Sequence, residues 1–268
     1  MKYRLGFIGA GNMAEALARG ALRGGVVEAP QMLAADPSPE RREVFDKLGI
    51  ATAADPAAVV AGCDHVLLAV KPQVFAAVSP VLAALDRKQQ TVISIMAGVR
   101  SSTIEAAAGG PLRILRVMPN TPMLVGRGMS GMAECSSAEG SRGDTKLCVD
   151  LLRSCGEVAK VTEDDMDAVT AVSGSGPAYV FLLAEAMMDA AAEMGLLGAH
   201  ELFVQQTICG AAEMLMQSEE SAAELRRKVT SPGGTTQAAI ESFDAAGFRT
   251  MVRDAMRAAC RRSAELGA

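Results

Sequence analysis

The stretch Tyr3-Arg4-Leu5-Gly6-Phe7-Ile8-Gly9-Ala10-Gly11-Asn12-Met13-Ala14 decides the fold. Its first half is β-prone and apolar. Its second half enters an Ala-rich run, Asn12 to Arg23, that stops at Gly24-Gly25. A strand turning sharply into a helix on the pattern G-x-G-x-x-A opens a βαβ unit whose helix amino terminus can face an anion. Gly9 suits the tight turn, and Gly11, lacking a Cβ, lets a pyrophosphate approach the backbone. Ala14 keeps the helix close to the sheet, and Asn12 and Met13 belong to the same cradle. A plain strand-turn-helix corner could use these glycines too, but the position at the head of a βαβ unit favours a dinucleotide.

Working outward, Arg4–Gly9, Gln31–Asp36, His65–Val70, Thr91–Ala97 and Ile114–Met118 read as strands, most of them continuously apolar, with helical segments between. Strands buried on both faces look like this, because crossover helices cover both sides of a parallel sheet. For the second helix, Ser38 is the expected N-cap, Pro39 the first helical position and Gly49 the residue past the end. Gly128–Ala133 and Glu157–Val161 form a last pair of strands around a helix from about Ser137 to Ser154, with a polar patch at Gly140 to Gly143. Strand signals then cease. From Glu163 the chain is rich in Ala, Met and Glu, broken by glycine-containing turns at 173–176, 195–198, 231–234 and 247. The expected architecture is α/β, a doubly wound sheet over residues 1–162 followed by an all-helical domain over 163–268. Helix faces of small residues, such as Ala178, Ala184, Ala186, Ala190 and Ala191, bury little area each at roughly 25 cal/mol per Å². The helical domain is therefore expected to need a second copy and to form a homodimer.

With 50% apolar and 21% charged residues in 268, and a formal charge of -5, the chain is neither disordered nor basic enough to track a phosphate backbone. Aromatics are only 3% and Trp is absent, so base-stacking surfaces are scarce and no nucleic-acid partner is expected. The cysteines at 63, 135, 148, 155, 209 and 260 form no C-x-x-C pair, and only His65 and His200 could join them. No metal site is expected. No apolar run approaches the roughly 18 residues needed to span a bilayer, so no membrane partner is expected. The amino terminus runs directly into a strand without a charged-then-apolar leader, which points to the cytoplasm and reduced thiols.

Ligands of open α/β sheets lie beyond the carboxyl ends of the strands. Asp36, Val70-Lys71-Pro72-Gln73, Met96-Ala97-Gly98 and Met118-Pro119-Asn120-Thr121-Pro122 fall there. Asp36 stands where a carboxylate accepts hydrogen bonds from ribose hydroxyls, which favours NADH. Ser38, Arg41 and Arg42 follow at once and could hold the extra phosphate of NADPH, so both forms stay open. The candidate cofactor-binding residues are thus Gly9, Gly11, Asn12, Met13, Asp36, Val70, Lys71, Pro72, Met96, Ala97, Gly98 and Asn120, with two prolines stiffening the loop around Asn120. Core filling is the alternative for Met96 and Met118, and Lys71 reads equally well as a solvated loop charge. A second glycine-rich turn, Thr230-Ser231-Pro232-Gly233-Gly234-Thr235-Thr236, enters another helix. Its N–H groups and the hydroxyls of Ser231, Thr235 and Thr236 suit a small carboxylate, and N-capping by one threonine is the alternative.

Oxidising an alcohol with a nicotinamide calls for a base such as His or Lys. The helical half holds only His200, read as facing solvent, and Lys228, read as an exposed helix end. A cyclic iminium would need only alignment. Taken in order along nearly the whole chain, Gly9 to Ala14, Val70 to Gln73, Met118 to Pro122, Ser173-Gly174-Ser175-Gly176-Pro177-Ala178-Tyr179 and Thr230 to Thr236 resemble the pyrroline-5-carboxylate reductase family. The resemblance implies NAD(P)H-dependent reduction of the C=N bond of 1-pyrroline-5-carboxylate to L-proline, the last step of proline biosynthesis. It further implies a Rossmann-type domain followed by a helical dimerisation domain, whose dimers often assemble into decamers. The substrate would lie between the nicotinamide and the Ser-Pro-Gly-Gly turn. Ser231, Gly233, Gly234 and Thr235 would hold its carboxylate, and Thr236 would be the catalytic residue at the ring nitrogen. A β-hydroxyacid dehydrogenase would share the plan, but it is expected to carry a lysine after its glycine-rich segment, and none occurs between Lys160 and Lys228. A non-catalytic nucleotide sensor would leave the second cradle without a purpose.

Overall fold

Side chains alternate across a strand, so a continuously apolar strand must feed two cores. A computed structural model of the chain, describing residues 2–135 and 145–267, has both. Leu5, Phe7, Met32, Ala34, Leu67, Ile93 and Leu115 lie in one buried cluster with Leu17, Phe45 and Leu151. Their neighbours Ile8, Leu33, Ala35, Val66, Leu68, Val92 and Ile114 lie in the other with Val59, Leu82 and Ile104.

The elements are β1 (Tyr3–Ile8), α1 (Asn12–Arg23), β2 (Met32–Ala35), α2 (Pro39–Asp46), β3 (Ala51–Ala53), α3 (Ala57–Gly62), β4 (Cys63–Leu68), α4 (Phe75–Val78), β5 (Thr91–Ser94), α5 (Ser101–Ala107), β6 (Arg113–Met118), β7 (Gly128–Glu134), α6 (Thr145–Arg153) and β8 (Gly156–Lys160). The eight strands form one sheet in the order β3-β2-β1-β4-β5-β6-β7-β8. The direction of winding reverses between β1 and β4, the switch point at which ligands of such sheets bind. Neighbours pair in parallel except β6 and β7, which run antiparallel. The connection from Pro119 to Arg127 is too short for the crossover that parallel pairing requires. The edge strand β3, only Ala-Thr-Ala, carries too little pattern to stand out in the sequence. Ser38 caps α2 by accepting from the Arg41 N–H at 3.2 Å, and Gly49 follows in the left-handed region at φ 76°. The helix expected from Ser137 is seen as α6, and its earlier part, with the Gly140 to Gly143 patch, lies outside the described residues.

The chain divides into two compact units, one running to Ser175 and including the residues from Ala259 onward, the other Gly176–Ala258. In the first unit, α7 (Met166–Val169) runs into a π turn, Thr170–Gly174, in which the Ser175 N–H donates to the Thr170 carbonyl at 2.8 Å. Expected to be a glycine-containing turn, the 173–176 segment is the end of a widened stretch of helix leading into α8 (Gly176–Glu193). The second unit holds α8, α9 (His200–Gln217), α10 (Ala222–Lys228), α11 (Thr235–Ala245) and the start of α12 (Phe248–Leu266). Gly195, Gly198, Gly233 and Gly247 adopt positive φ at its turns, as expected there. His200, read as facing solvent, is half-buried at the head of α9.

Glu163 anchors the segment leading into α7. Its carboxylate accepts from the Ser101 N–H at 2.8 Å, the Ser101 hydroxyl at 2.7 Å and the buried Arg116 guanidinium at 2.9 Å. Burial alone would push its pKa up, but the Ser101 and Arg116 bonds outweigh it and hold the carboxyl below its usual value. A carboxyl lowered on folding stabilises the protein above the ordinary carboxylate range, and that contribution is lost as pH falls through the folded value. Glu163→Ala, which strands Arg116 without a counter-charge, should cost about 2–3 kcal/mol in chemical denaturation, discounted for the partial exposure of the glutamate. The stability gap between wild type and Glu163→Gln should narrow from about neutral pH to about pH 3. A gap constant over that range would remove this carboxylate from the pH dependence.

Candidate active site

At the switch point the backbone is forced into one shape. Gly9 sits at φ 97°, and a Cβ there would lie 2.8 Å from the Ala69 carbonyl oxygen and 3.0 Å from Val70 Cγ1. Only glycine lets the ends of β1 and β4 close this tightly. Gly11 is the N-cap of α1, in extended conformation and without a side-chain cap, and a Cβ on it would meet nothing within 4 Å. Asn12 is exposed, Met13 half-buried and Ala14 fully buried behind them. The helix head thus presents amides without a capping side chain beside open space, the environment a diphosphate needs.

Asp36 stands just past the end of β2, as expected, and its carboxylate is engaged by the protein itself. Its Oδ2 accepts from the Ala10 N–H at 2.8 Å and its Oδ1 from the Ser38 N–H at 2.9 Å. Arg41 donates to the Ala10 carbonyl at 2.6 Å and to Glu15 at 2.9 Å, and Arg42 donates to the carbonyls of Asp36 and Pro37. Burial pushes the Glu15 carboxyl up, but bonds from Arg19 and Arg41 leave it below its usual value, so it is ionised and can hold Arg41. Asp36 and Arg41 therefore grip both backbone groups of Ala10, the residue between the two glycines.

The remaining edge residues sort by what their side chains touch. Val70 lies against Gly9, Lys71 is exposed, and Pro72 begins a short helical turn. Met96 packs its side chain into the second core, and Ala97 is half-buried. Gly98, at φ 76°, would place a Cβ 2.7 Å from the Ser263 carbonyl oxygen and 3.0 Å from the Gly267 nitrogen, so the last turn of α12 lies directly on it. Ser263 in turn donates to Asp167 at 2.6 Å. Asn120 is buried, with both ends of its amide engaged by Ser173 and Met129.

In the second unit, Gly233 adopts φ 70° and Gly234 is the N-cap of α11, its N–H donating to the Ser231 carbonyl at 3.0 Å. A Cβ on Gly234 would run into Ser231 Oγ. No side chain caps α11, so the threonine-cap alternative is not realised, and Thr235 and the half-buried Thr236 head an uncapped helix. Sequence reasoning missed Gln237, whose Oε1 accepts from the Gly233 N–H at 2.7 Å and whose Nε2 donates to Glu241 at 2.7 Å. Its position four residues after Gly233, one turn into the helix, is the signal that could have found it.

Burial pushes Cys63 up to about 12 and Cys135 up to about 11, so neither is a thiolate near neutral pH. Among the described residues, no group of three or more His, Cys, Asp or Glu could hold a metal.

A doubly wound sheet with an open, uncapped amide cradle at its switch point defines a nicotinamide-dinucleotide oxidoreductase. Two family models match the chain: pyrroline-5-carboxylate reductase dimerisation over residues 163–266, and NADP oxidoreductase, coenzyme F420-dependent, over residues 4–98. The pyrroline-5-carboxylate reductase of Pseudomonas aeruginosa is 45% identical over 98% of this chain and 96% of its own. A pyrroline-5-carboxylate reductase structure from Coxiella burnetii superposes with a TM-score of 0.88 at 36% identity, covering both chains completely. That of the Plasmodium falciparum enzyme with NADP bound does so at 0.86 and 32%, again over both full chains. The chain belongs to the pyrroline-5-carboxylate reductase family. Its reaction is hydride transfer from NAD(P)H to the C=N bond of 1-pyrroline-5-carboxylate, giving L-proline.

Because a side chain at Gly11 would meet open space in the protein itself, it could collide only with a bound ligand. Gly11→Val should keep the melting temperature within about 2 °C while weakening NAD(P)H binding more than about 10-fold, measured by fluorescence titration. Undiminished binding would move the diphosphate elsewhere.

Proposed function

We propose that the two amide cradles divide the work of this reductase. Residues 1–162 are assigned as the NAD(P)-binding domain, with Gly9, Gly11, Asn12 and Met13 at the diphosphate. Val70, Lys71, Pro72, Met96, Ala97 and Gly98 follow along the sheet edge. Asp36 serves by bracing Ala10, and NADPH and NADH are both retained as cofactors. The reduced nicotinamide supplies the hydride. Residues 163–268 are assigned as the substrate-binding and dimerisation domain.

The observation that carries the substrate assignment is the uncapped head of α11 behind two glycines, one of them at positive φ. Ser231, Gly233, Gly234 and Thr235 would hold the carboxylate, through N–H groups and hydroxyls that bear partial positive charge. Gln237 already consumes the Gly233 N–H and the Ser231 carbonyl the Gly234 N–H, so the two glycines shape the turn and the amides at the uncapped head of α11 donate. The Thr236 hydroxyl would hydrogen-bond the ring nitrogen and pass it a proton, itself taking one from solvent water, as the nitrogen becomes an amine. Thr236→Ala should lower kcat by about 10²-fold and leave the NADPH dissociation constant unchanged. The check is steady-state oxidation of NADPH in the presence of 1-pyrroline-5-carboxylate beside a direct cofactor titration. Unchanged turnover would remove Thr236 from the chemistry.

The same helical unit supports a homodimer. Among its described apolar residues only Ala191 and Val204 are buried, whereas Phe181, Leu182, Leu197, Leu202, Phe203 and Met216 are exposed. Unpartnered apolar area of this extent calls for a second copy, and a decamer is the higher assembly to look for. The six cysteines are free, in keeping with a reducing cytoplasm, and among the described residues no helix is long and apolar enough to cross a membrane. Leu182→Asp, a charge on the apolar face of α8, should shift the mass by light scattering toward the monomer and raise the dimer dissociation constant at least about 10-fold. An undisturbed dimer would place the interface on another face.

A further inference from the structure

The π turn at Thr170–Gly174 has a cause that lies on another element. Widening a helix by one residue takes carbonyls out of the regular ladder and leaves them to be satisfied from outside. The Ser173 carbonyl receives its bond from Asn120, whose Nδ2 lies 3.3 Å from it and 3.1 Å from Ser173 Oγ. The amide cannot be flipped without loss, because Oδ1 accepts from the Met129 N–H at 2.9 Å, and a backbone amide can only donate. Asn120 is 8% exposed, so these partners lie inside the protein. Close approach supports the same contact from both sides. A Cβ on Gly174 would run into Met118 Cε, and a Cβ on Gly131 of β7 would lie 2.7 Å from Val169 Cγ1 of α7. The π turn is thus pressed onto the loop that follows β6 and joined to it by one side chain.

We propose that Asn120 is a positioning residue of the reductase: its amide locks the Ser173 turn to the Met118–Thr121 loop, holding both in the one arrangement in which hydride transfer is efficient. This rests on the reading that the carboxyl edge of the sheet carries the dinucleotide, since the loop after β6 belongs to that edge. Asn120 then acts through Ser173 and the loop, without itself touching the cofactor. Misplacement of a reacting group by about 1 Å can lower a rate by about 10²-fold, which is the scale available to such a residue.

The test compares wild type with Asn120→Ala, Asn120→Asp and Ser173→Ala. Asn120→Asp keeps the acceptor for Met129 and loses the donor for the Ser173 carbonyl, so it should behave like the alanine variant. In the ligand-free protein, hydrogen–deuterium exchange across residues 170–175 should rise at least about 10-fold in both Asn120 variants. In the assay, kcat should fall about 10- to 100-fold while the NADPH dissociation constant stays within about twofold. Asn120→Ala combined with Ser173→Ala should lose less than the two single losses multiplied, because both remove one contact. Unchanged exchange would overturn the lock. A cofactor affinity that weakens in step with kcat would make Asn120 a direct contact and overturn the proposal as well. A fall in melting temperature with kcat unchanged would reduce Asn120 to a structural residue and overturn it too. Should wild type fail to turn over 1-pyrroline-5-carboxylate, the reductase reading would fail on its own, and the exchange measurement would still decide the lock.

Discussion

The 2.8 Å hydrogen bond from the Ala10 amide to the Asp36 carboxylate ties the tip of β1 to the tip of β2, and the sheet edge depends on it. Gly9 and Gly11 are there because the chain must turn without side chains in the way, but two glycines also leave the loop many conformations in the unfolded chain. Ala10 between them is held at its N–H by Asp36 and at its carbonyl by Arg41, and Arg41 is held by an ionised Glu15 on α1. Charge-assisted bonds of this kind are about twice as strong as neutral ones. They replace the order that glycine gives up, so the head of α1 is aimed before any ligand arrives. The cradle is preorganised by a carboxylate that ordinary motif reading assigns to the ligand.

The second unit lives under the opposite constraint. Its helices are rich in Ala and Met and form few large buried contacts of their own, with Ala191 and Val204 as the buried apolar residues. Small side chains allow close approach between helices, yet each removes little area from water. The Phe243 and Phe248 rings, 5.4 Å apart, line an apolar groove together with Tyr179, Leu183 and Met251. A domain so built would gain stability from association, which would link folding of the turn at Ser231 to protein concentration.

Much of the fold was legible because it rests on local rules. Continuously apolar runs mark strands that feed two cores, Ser38 and Gly49 bracket α2, and Gly9 is readable because positive φ admits little else. What was not legible depends on residues far apart in the chain. Nothing near Gly98 announces that the end of α12 lies on it, and nothing near Asp36 announces that its oxygens accept from the Ala10 and Ser38 amides. The π turn was hidden for the same reason: Ser173-Gly174-Ser175-Gly176 reads as a turn, and the side chain that bonds the widened helix there, Asn120, lies more than fifty residues earlier. β7 was seen as a strand but not as an antiparallel one, since direction follows from the length of the connection rather than from the strand's own residues.

The turn at Ser231 to Thr236 offers amide and hydroxyl dipoles rather than full charges, and that bears on the reaction proposed for it. A helix head carries roughly half an elementary charge, enough to favour a carboxylate. The full cations nearest in sequence are already spoken for, Arg227 by Glu224 at 2.8 Å and Lys228 by Glu220 at 2.7 Å. In the substrate the carboxylate is one bond from the ring, so whatever holds it stands close to the C=N group. A lysine or arginine there would bind the carboxylate more strongly, but it would also oppose positive charge on the ring nitrogen, and that charge makes the neighbouring carbon accept hydride. Amides and hydroxyls bind the acid with about half that opposition, and a hydroxyl such as that of Thr236 can donate to a neutral nitrogen or stand aside from a charged one. The absence of a lysine between Lys160 and Lys228 is therefore a property the chemistry favours.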